Sequence, residues 1–353
     1  MAHHRRNNGI DKNELYEEWD KLPAVRNMQS ERASVRHRPA TKRKARNETE
    51  LEVAALVAQG DTQDSFDFSY HASRHERLWI NDALGSFYED HWIDDVLRLL
   101  KGGKEANVYQ CQANPGSVGE VDHLAAKVYR PRQFRNLKND HVYREGRMNL
   151  DSEGHEILDD RMNLAMRKRT AYGLELMHTS WIEHEFQTML RLHAAGVDLP
   201  VPYARGHNAI LMGYIGYNDT PAPTLNQVSL PPLEAKLLFE RVVHNIELML
   251  ASERVHGDLS AYNILYLDGE ITLIDFPQAI NPHENRNALR IFERDVTRVC
   301  EYFIHQGLRT NPRALATDLW KKHGLRLMPD VHPRLLDDQN EGDRAYWQGM
   351  QQD

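Results

Sequence analysis

Val255-His256-Gly257-Asp258-Leu259-Ser260-Ala261-Tyr262-Asn263, followed by Leu273-Ile274-Asp275-Phe276, is the stretch that decides the fold. It reads as H-x-D-x-x-x-x-N and then an apolar segment ending in D-F. A carboxylate and a carboxamide at this spacing on a tight loop can face one cavity. Between them, Ile264-Leu265-Tyr266 and Ile271-Thr272-Leu273-Ile274 predict two short strands. Asp268-Gly269 joins them, a dipeptide suited to a hairpin turn because both residues tolerate positive φ. The hairpin carries Asp275 back to the mouth of the loop. In this layout Asp258 takes or orients the proton of an attacking group, and Asn263 and Asp275 hold Mg²⁺ against phosphates. His256 reads as a packing residue that hydrogen-bonds backbone near Asp275, and Ser260 as a neighbour of the transferred phosphate. A buried hairpin with a chance acid at each end is the plainer reading. It leaves the spacing of the polar residues unexplained.

Upstream, Leu124-Ala125-Ala126-Lys127-Val128-Tyr129 predicts a strand. A lysine among apolar neighbours is costly to bury without a partner. In a nucleotide site Lys127 pairs with phosphates and is held by a glutamate from a helix. Trp181, Ile182, Phe186, Met189, Leu190 and Leu192 recur at helical spacing, and Gly196 ends that helix. Glu185 is the favoured partner, because Phe186, Met189 and Leu190 are expected to put the opposite side of the helix in the core; Glu183 is the alternative. Lys101-Gly102-Gly103-Lys104-Glu105-Ala106-Asn107-Val108-Tyr109 precedes this strand. Glycines there let the backbone close over phosphates. Gly102, Gly103, Lys104 and Val108 are therefore candidate nucleotide contacts. The loop is not G-x-x-x-x-G-K-[ST], which disfavours a Walker-type NTPase. Ala209-Ile210-Leu211-Met212 predicts another strand, and Gly213-Tyr214-Ile215-Gly216 a hinge, so Met212, Tyr214 and Ile215 are candidate contacts to an adenine.

The 353 residues suffice for two lobes and a sizeable core. With 41% apolar and 27% charged residues and a net charge of −8, the chain has no overall pull toward nucleic acid or anionic lipid. Any such pull is local. From 26 to 46 lie Arg26, Arg32, Arg36, Arg38, Lys42, Arg43, Lys44 and Arg46 against Glu31 alone, within a segment, 1–66, of low apolar content. This reads as a disordered basic arm with RNA or a ribosomal particle as its natural partner. Glu48 to Ala58 reads as a short helix. Cys111 and Cys300 are small core residues, too few for a disulfide framework. No apolar run approaches a membrane span and no signal-peptide pattern opens the chain, so no membrane and a cytoplasmic location are expected.

Further elements are a folded stretch from Leu84, helices over Leu233–Leu250 and Asn287–Gly307, and a polar insertion over 130–178. The insertion reads as mobile, partly helical near Ala165–Leu176, with Ser152, Thr170, Thr179 and Ser180 as self-modifiable positions. The domain reading is an arm (1–66), an N-terminal lobe (84–212), a C-terminal lobe (213–330) and a tail (331–353).

With these residues assembled, the chain resembles the RIO family of atypical protein kinases. The resemblance rests on Gly103-Lys104-Glu105-Ala106-Asn107-Val108-Tyr109, Ala126-Lys127-Val128-Tyr129, Trp181-Ile182-Glu183-His184-Glu185-Phe186, the Val255–Asn263 loop, and Leu273-Ile274-Asp275-Phe276-Pro277-Gln278-Ala279. D-F-P-Q in place of D-F-G sets it apart from ordinary kinases. The resemblance covers about Leu84 to Phe303 and looks most like bacterial or archaeal members. It implies an α+β, two-lobed protein-kinase-like fold with a trimmed C-terminal lobe, ATP with Mg²⁺ or Mn²⁺ as cofactors, and serine phosphorylation or an ATPase switch, with Asp275 able to accept phosphate. The implied catalytic residues are Asp258, Lys127 and Asp275. Three features depart from the family pattern. The hinge has Gly213 where an acid is usual, the loop lacks a Ser/Thr before its second glycine, and no winged-helix pattern precedes the kinase region. The helix expected at Asn287 leaves no room for a peptide-cradling activation segment after Asp275. A small-molecule phosphotransferase of the aminoglycoside or choline kinase type shares H-G-D-x-x-x-x-N and I-D-F but not the Gly103–Tyr109 loop or Pro277-Gln278. A non-catalytic, nucleotide-gated assembly factor is the third reading.

Overall fold

Alternation along His123–Tyr129 sorts the N-terminal lobe. Leu124, Ala126 and Val128 point to one side, and Ala125, Lys127 and Tyr129 to the other. The first set is buried with Ile80, Leu84 and Phe87 of a helix, α1 (Arg74–Glu89), whose N-cap Ser73 accepts the Glu76 N–H. In the computed structural model, residues 66–103, 105–130 and 140–326 are described. The basic arm up to residue 65, the helix expected at Glu48–Ala58, Lys104, residues 131–139 and the tail lie outside the described residues.

Five strands form one antiparallel sheet: β1 (Ile93–Gly102), β2 (Ala106–Ala113), β3 (His123–Tyr129), β4 (Pro202–Arg205) and β5 (Ala209–Gly213), in the order β1-β2-β3-β5-β4. Antiparallel partners directly opposite share a face. Val108, Lys127 and Ile210 are aligned across β2, β3 and β5, as are Gln110, Ala125 and Met212. Short helical turns lie at Pro115–Val118 and Asp140–Arg144. Then come α2 (Asp160–Arg167) and α3 (Ala171–Ala194), the latter packed beneath the Lys127 side of the sheet.

Folding starts earlier than the sequence reading placed it. Phe66 is buried and stacks on Tyr88 with ring centroids 4.7 Å apart, and α1 begins at Arg74 rather than near Leu84. The insertion expected over 130–178 is, in its described part, built rather than irregular. Asn285 donates to the carbonyls of Val142 (2.7 Å) and Glu145 (3.1 Å). Arg147 donates to those of Pro277 (2.9 Å) and Ala279 (3.0 Å). Helix α3 begins at Ala171, capped by Thr170, not at Trp181. Its first turns cross α2 where Gly173 touches the Ala165 backbone; a Cβ there would lie 2.0 Å from that carbonyl oxygen. Those turns pack on a small helix instead of the main core, so their apolar period is weak.

Beyond β5 a small hairpin, β6 (Gly216–Tyr217) with β7 (Thr220–Pro221), leads into α4 (Pro232–Ala251). Next come the hairpin β8 (Ile264–Leu267) and β9 (Glu270–Leu273), then α5 (Ala288–His305) and α6 (Pro312–Lys322). Asp268 and Gly269, at φ +49° and +84°, make the expected turn. Leu238, Val242, Ile246 and Met249 of α4, Phe292, Val296 and Phe303 of α5, and Trp320 of α6 form the C-terminal core, which includes Leu273 and Phe276. This is the α+β, two-lobed protein-kinase-like fold that the resemblance implies, with only residues 276–287 between Asp275 and α5. Among the described residues, no helix is long and apolar enough to cross a membrane.

Candidate active site

Lys127 comes off the cleft side of β3 and meets two carboxylates. Its Nζ lies 2.6 Å from Glu185 Oε1 and 2.7 Å from Asp275 Oδ1. Glu185, 1% exposed, is carried by α3, and Asp275, 42% exposed, follows β9. Tyr129, two residues along the same strand face, donates its hydroxyl to Glu185 Oε2 at 2.5 Å. Both oxygens of the buried carboxylate are thus satisfied, as burial requires. Burial alone disfavours the Lys127 ammonium; Asp275 and Glu185 more than offset this and raise its pKa. Burial pushes the Asp275 carboxyl up, but the Lys127 ammonium outweighs it and holds the group below its ordinary value.

Glu185 reaches Lys127 for a different reason than the sequence suggested. It lies on the buried face of α3 with Trp181, Ile182, Met189 and Leu192, whereas Leu190 is exposed. The acid faces inward because its partners do. Glu183, the alternative, turns to Arg205 (2.5 Å) and Gln187 (2.8 Å) instead.

The catalytic loop is tied to Asp275 through backbone. Ile274 N–H donates to Asn263 O (3.0 Å), and His256 Nε2 bonds Ile274 O (3.2 Å) while its Nδ1 accepts the Asp258 N–H (3.3 Å). His256 also packs on Phe276, with ring centroids 4.8 Å apart. Its role is structural, as expected. Asn263 Nδ2 donates to Asp258 O (2.9 Å) and Asp258 Oδ2 (3.1 Å). Asp275 sits at φ +76°, a strained conformation for a residue with a side chain, and its carboxylate meets Lys127. Ser260 accepts the Asn263 N–H through its carbonyl at 2.9 Å. Lys127, Asp258, Asn263 and Asp275 therefore form one connected cluster.

A divalent cation fits this donor set. The Asn263 amide nitrogen is engaged by Asp258, so its side-chain oxygen would be the ligating atom, with the Asp275 carboxylate as the second ligand. Mg²⁺ keeps water and phosphate oxygens rather than a full protein cage, so one carboxylate and one amide oxygen would suffice to hold it.

Of the other candidates, Val108 and Met212 lie on the cleft face of the sheet with Lys127 and Ala125. Gly103 makes the tight β1–β2 turn: its N–H donates to Ala106 O (2.9 Å), and a Cβ would stand 2.7 Å from that oxygen. Gly102 meets no such restriction, the nearest atom to a Cβ being 3.7 Å away. Tyr214 and Ile215 follow β5 directly. Tyr214 packs edge-on to His123 at 5.9 Å, and Ile215 accepts the Ala222 N–H through its carbonyl (3.0 Å). Arg98 and Gln110 both donate to Asn218 O, at 2.9 and 2.7 Å, and fasten the β6–β7 turn to the sheet.

Sequence reasoning missed the grip of α5 on the loop. Asp295 accepts the Gly257 N–H (2.8 Å), Arg294 donates to Gly257 O and Asp295 Oδ1, and Arg298 Nη1 lies 2.9 Å from Asp258 Oδ1. The available signal was Asp295, a charge on the buried stripe of an amphipathic helix. Tyr129 was also missed, although strand alternation places it beside Lys127.

The model of the RIO domain matches residues 107–315, which include every cluster residue just described. Among curated proteins, the RIO-type serine/threonine-protein kinase Rio1 of Haloferax volcanii is 29% identical over 64% of this chain and 69% of its own length. The serine/threonine-protein kinase RIO1 of Chaetomium thermophilum is 30% identical over 74% of this chain, but the match spans 48% of that protein. The human RIO1 is 27% identical over 61% of this chain and 34% of its own length. Relatives are thus both archaeal and eukaryotic. Among solved structures, the Rio2 kinase from Chaetomium thermophilum is similar at a TM-score of 0.49 and 20% identity, over 87% of this chain and 88% of that one. With its family-matched segment running from β2 through α5 and carrying the whole lysine–aspartate–asparagine cluster, the chain belongs to the RIO domain family.

Proposed function

We propose that this protein transfers the γ-phosphoryl group of ATP, with Mg²⁺ or Mn²⁺, to a serine or threonine hydroxyl, its own included. The observation that carries the reading is the single cluster in which Lys127 meets Glu185 and Asp275 while Asp258 and Asn263 hold each other alongside. Phosphoryl transfer needs positioning and charge neutralisation more than covalent chemistry from the protein. Lys127 neutralises phosphate charge, oriented by Glu185. Asp258 orients the acceptor hydroxyl and receives its proton. Asn263 and Asp275 would hold the cation, which supplies charge stabilisation on the phosphate oxygens. Gly103 and Val108 close over the nucleotide, and Met212, Tyr214 and Ile215 flank its base.

One observation favours slow turnover on the protein itself, or an ATPase switch, over broad action on outside proteins. Residues 142–147 are fastened along 277–287, where a peptide-cradling segment would otherwise lie. Serine or threonine hydroxyls of the chain itself are then the favoured acceptors. The basic stretch at 26–46 supports an RNA or ribosomal particle as partner, and a cytoplasmic setting goes with it.

Incubation of the full chain with γ-labelled ATP and Mg²⁺ tests this. Acid-stable label on protein, lost in Asp258→Ala, is the expected result. Acid-labile label with continued ATP hydrolysis would instead mark Asp275 as the acceptor of a switch. Label passing to an aminoglycoside or choline, and not to protein, would overturn the reading.

A further inference from the structure

Helix α5 grips the catalytic loop through one short face, and its contacts differ in kind. Asp295 and Arg294 bind the backbone N–H and carbonyl of Gly257. Arg298, one turn beyond Arg294, reaches past the backbone to the reactive carboxylate itself, at 2.9 Å from Asp258 Oδ1. The two side chains are similarly enclosed, 20% and 19% exposed, so the pair is not a freely solvated surface contact.

Asp258 is then held from two directions, by Arg298 on Oδ1 and by the Asn263 amide on Oδ2 (3.1 Å). Two such bonds fix the carboxylate plane. An ionised carboxylate offers about four acceptor sites, so these two bonds do not by themselves exhaust it.

We propose that Arg298 is a positioning residue for phosphoryl transfer: its guanidinium, 2.9 Å from Asp258 Oδ1, sets the orientation of Asp258 toward the acceptor hydroxyl. The proposal rests on the phosphotransfer reading above. Arg298 acts through Asp258, so it governs turnover and not nucleotide affinity. Arginine is suited to this task because its planar guanidinium presents several N–H groups in a fixed plane, whereas a lysine offers a point charge on a flexible stem.

Turnover of γ-labelled ATP is compared for the wild type, Arg298→Ala, Arg298→Lys, Asp258→Asn and the double variant Arg298→Ala/Asp258→Asn, with binding of Mg²⁺-ATP and thermal unfolding measured in parallel. The expected result is a kcat lower by about tenfold or more in Arg298→Ala, with KM for ATP within about twofold. Arg298→Lys recovers part of the loss, and the double variant is no slower than Asp258→Asn alone, the non-additivity of residues that act as one unit. Wild-type kcat in Arg298→Ala, or losses that multiply in the double variant, would overturn the proposal while leaving the phosphotransfer reading intact. An Arg298→Ala protein that loses its cooperative melt would assign Arg298 to the fold instead, and Arg298→Lys then decides: wild-type stability with lowered kcat upholds the proposal, and wild-type kcat overturns it. A wild type that neither binds nor turns over ATP would sink both.

Discussion

Lys127 and Asp275 stand 148 positions apart in the chain, yet the ammonium of one lies 2.7 Å from the carboxylate of the other. That contact joins the N-terminal sheet to the hairpin of the C-terminal lobe. The ammonium also bonds Glu185 at 2.6 Å, so a single side chain ties together β3, α3 and the loop after β9. Bound phosphates would meet a positive charge already held in place.

Replacing Lys127 by methionine keeps the bulk of the side chain and removes its charge. Glu185, 1% exposed, would keep Tyr129 as its remaining partner among the described residues. Breaking a buried pair from one side costs about 3–5 kcal/mol. Phosphate positioning is lost as well, so turnover should fall by about 100-fold or more. Chemical denaturation and labelled-ATP turnover of Lys127→Met test both effects; wild-type values in either assay would count against the pairing.

Tyr129→Phe removes only the hydroxyl that donates to Glu185. The ring, buried against Trp181 at 4.9 Å, is retained. A buried carboxylate oxygen left without its donor costs about 1–3 kcal/mol. The expected variant is folded, less stable by that amount, and impaired in turnover because Glu185 no longer holds Lys127 in one place. An unchanged denaturation midpoint and unchanged turnover would show that the hydroxyl contributes nothing.

Gly257 and Gly269 both adopt φ +84°, so they make a matched pair. A Cβ on Gly257 would lie 2.1 Å from Gln278 O, whereas one on Gly269 meets nothing within 4 Å. Gly269→Ala should cost only the backbone strain, about 1–2 kcal/mol. Gly257→Ala should cost more and displace the Asp258 loop from Pro277-Gln278, with loss of turnover. Equal effects of the two substitutions would contradict this packing.

Much of the site was legible because its signals are local. The loop from His256 to Asn263 and the Asp268-Gly269 turn each specify geometry over a few residues. Lys127 stood out as a charge within an apolar strand. What stayed hidden depends on distant partners. Glu185 was named for its position relative to an apolar stripe, but it lies within the buried face, made tolerable by Lys127 and Tyr129. Arg298 carries no local mark, since an arginine on an amphipathic helix usually faces water. The insertion looked irregular because hydrogen bonds from Arg147 and Asn285 to backbone carbonyls hold it, not an apolar period.

His184 gives a pH-dependent test of the same packing. Burial first, then the charges of Arg147 and Arg254, push its pKa well below the ordinary value. In the folded state the ring stays neutral, while in the unfolded state it takes up a proton below about pH 6.5. The unfolded state then binds more protons, so stability falls as pH drops through that range. His184→Gln should flatten the change in denaturation midpoint between about pH 7.5 and 5.5. An unaltered slope would mean that burial does not keep the proton off this ring.

Lys127, Asp258, Asn263 and Asp275 are proposed to converge on one metal-bound triphosphate. Calorimetric titration with a non-hydrolysable ATP analogue, with Mg²⁺ and with EDTA, measures that convergence. Removal of Mg²⁺ should weaken binding by about tenfold or more in the wild type, and Asp275→Ala and Asn263→Ala should bind weakly with or without the metal. Tight binding that ignores both the metal and these substitutions would contradict the account.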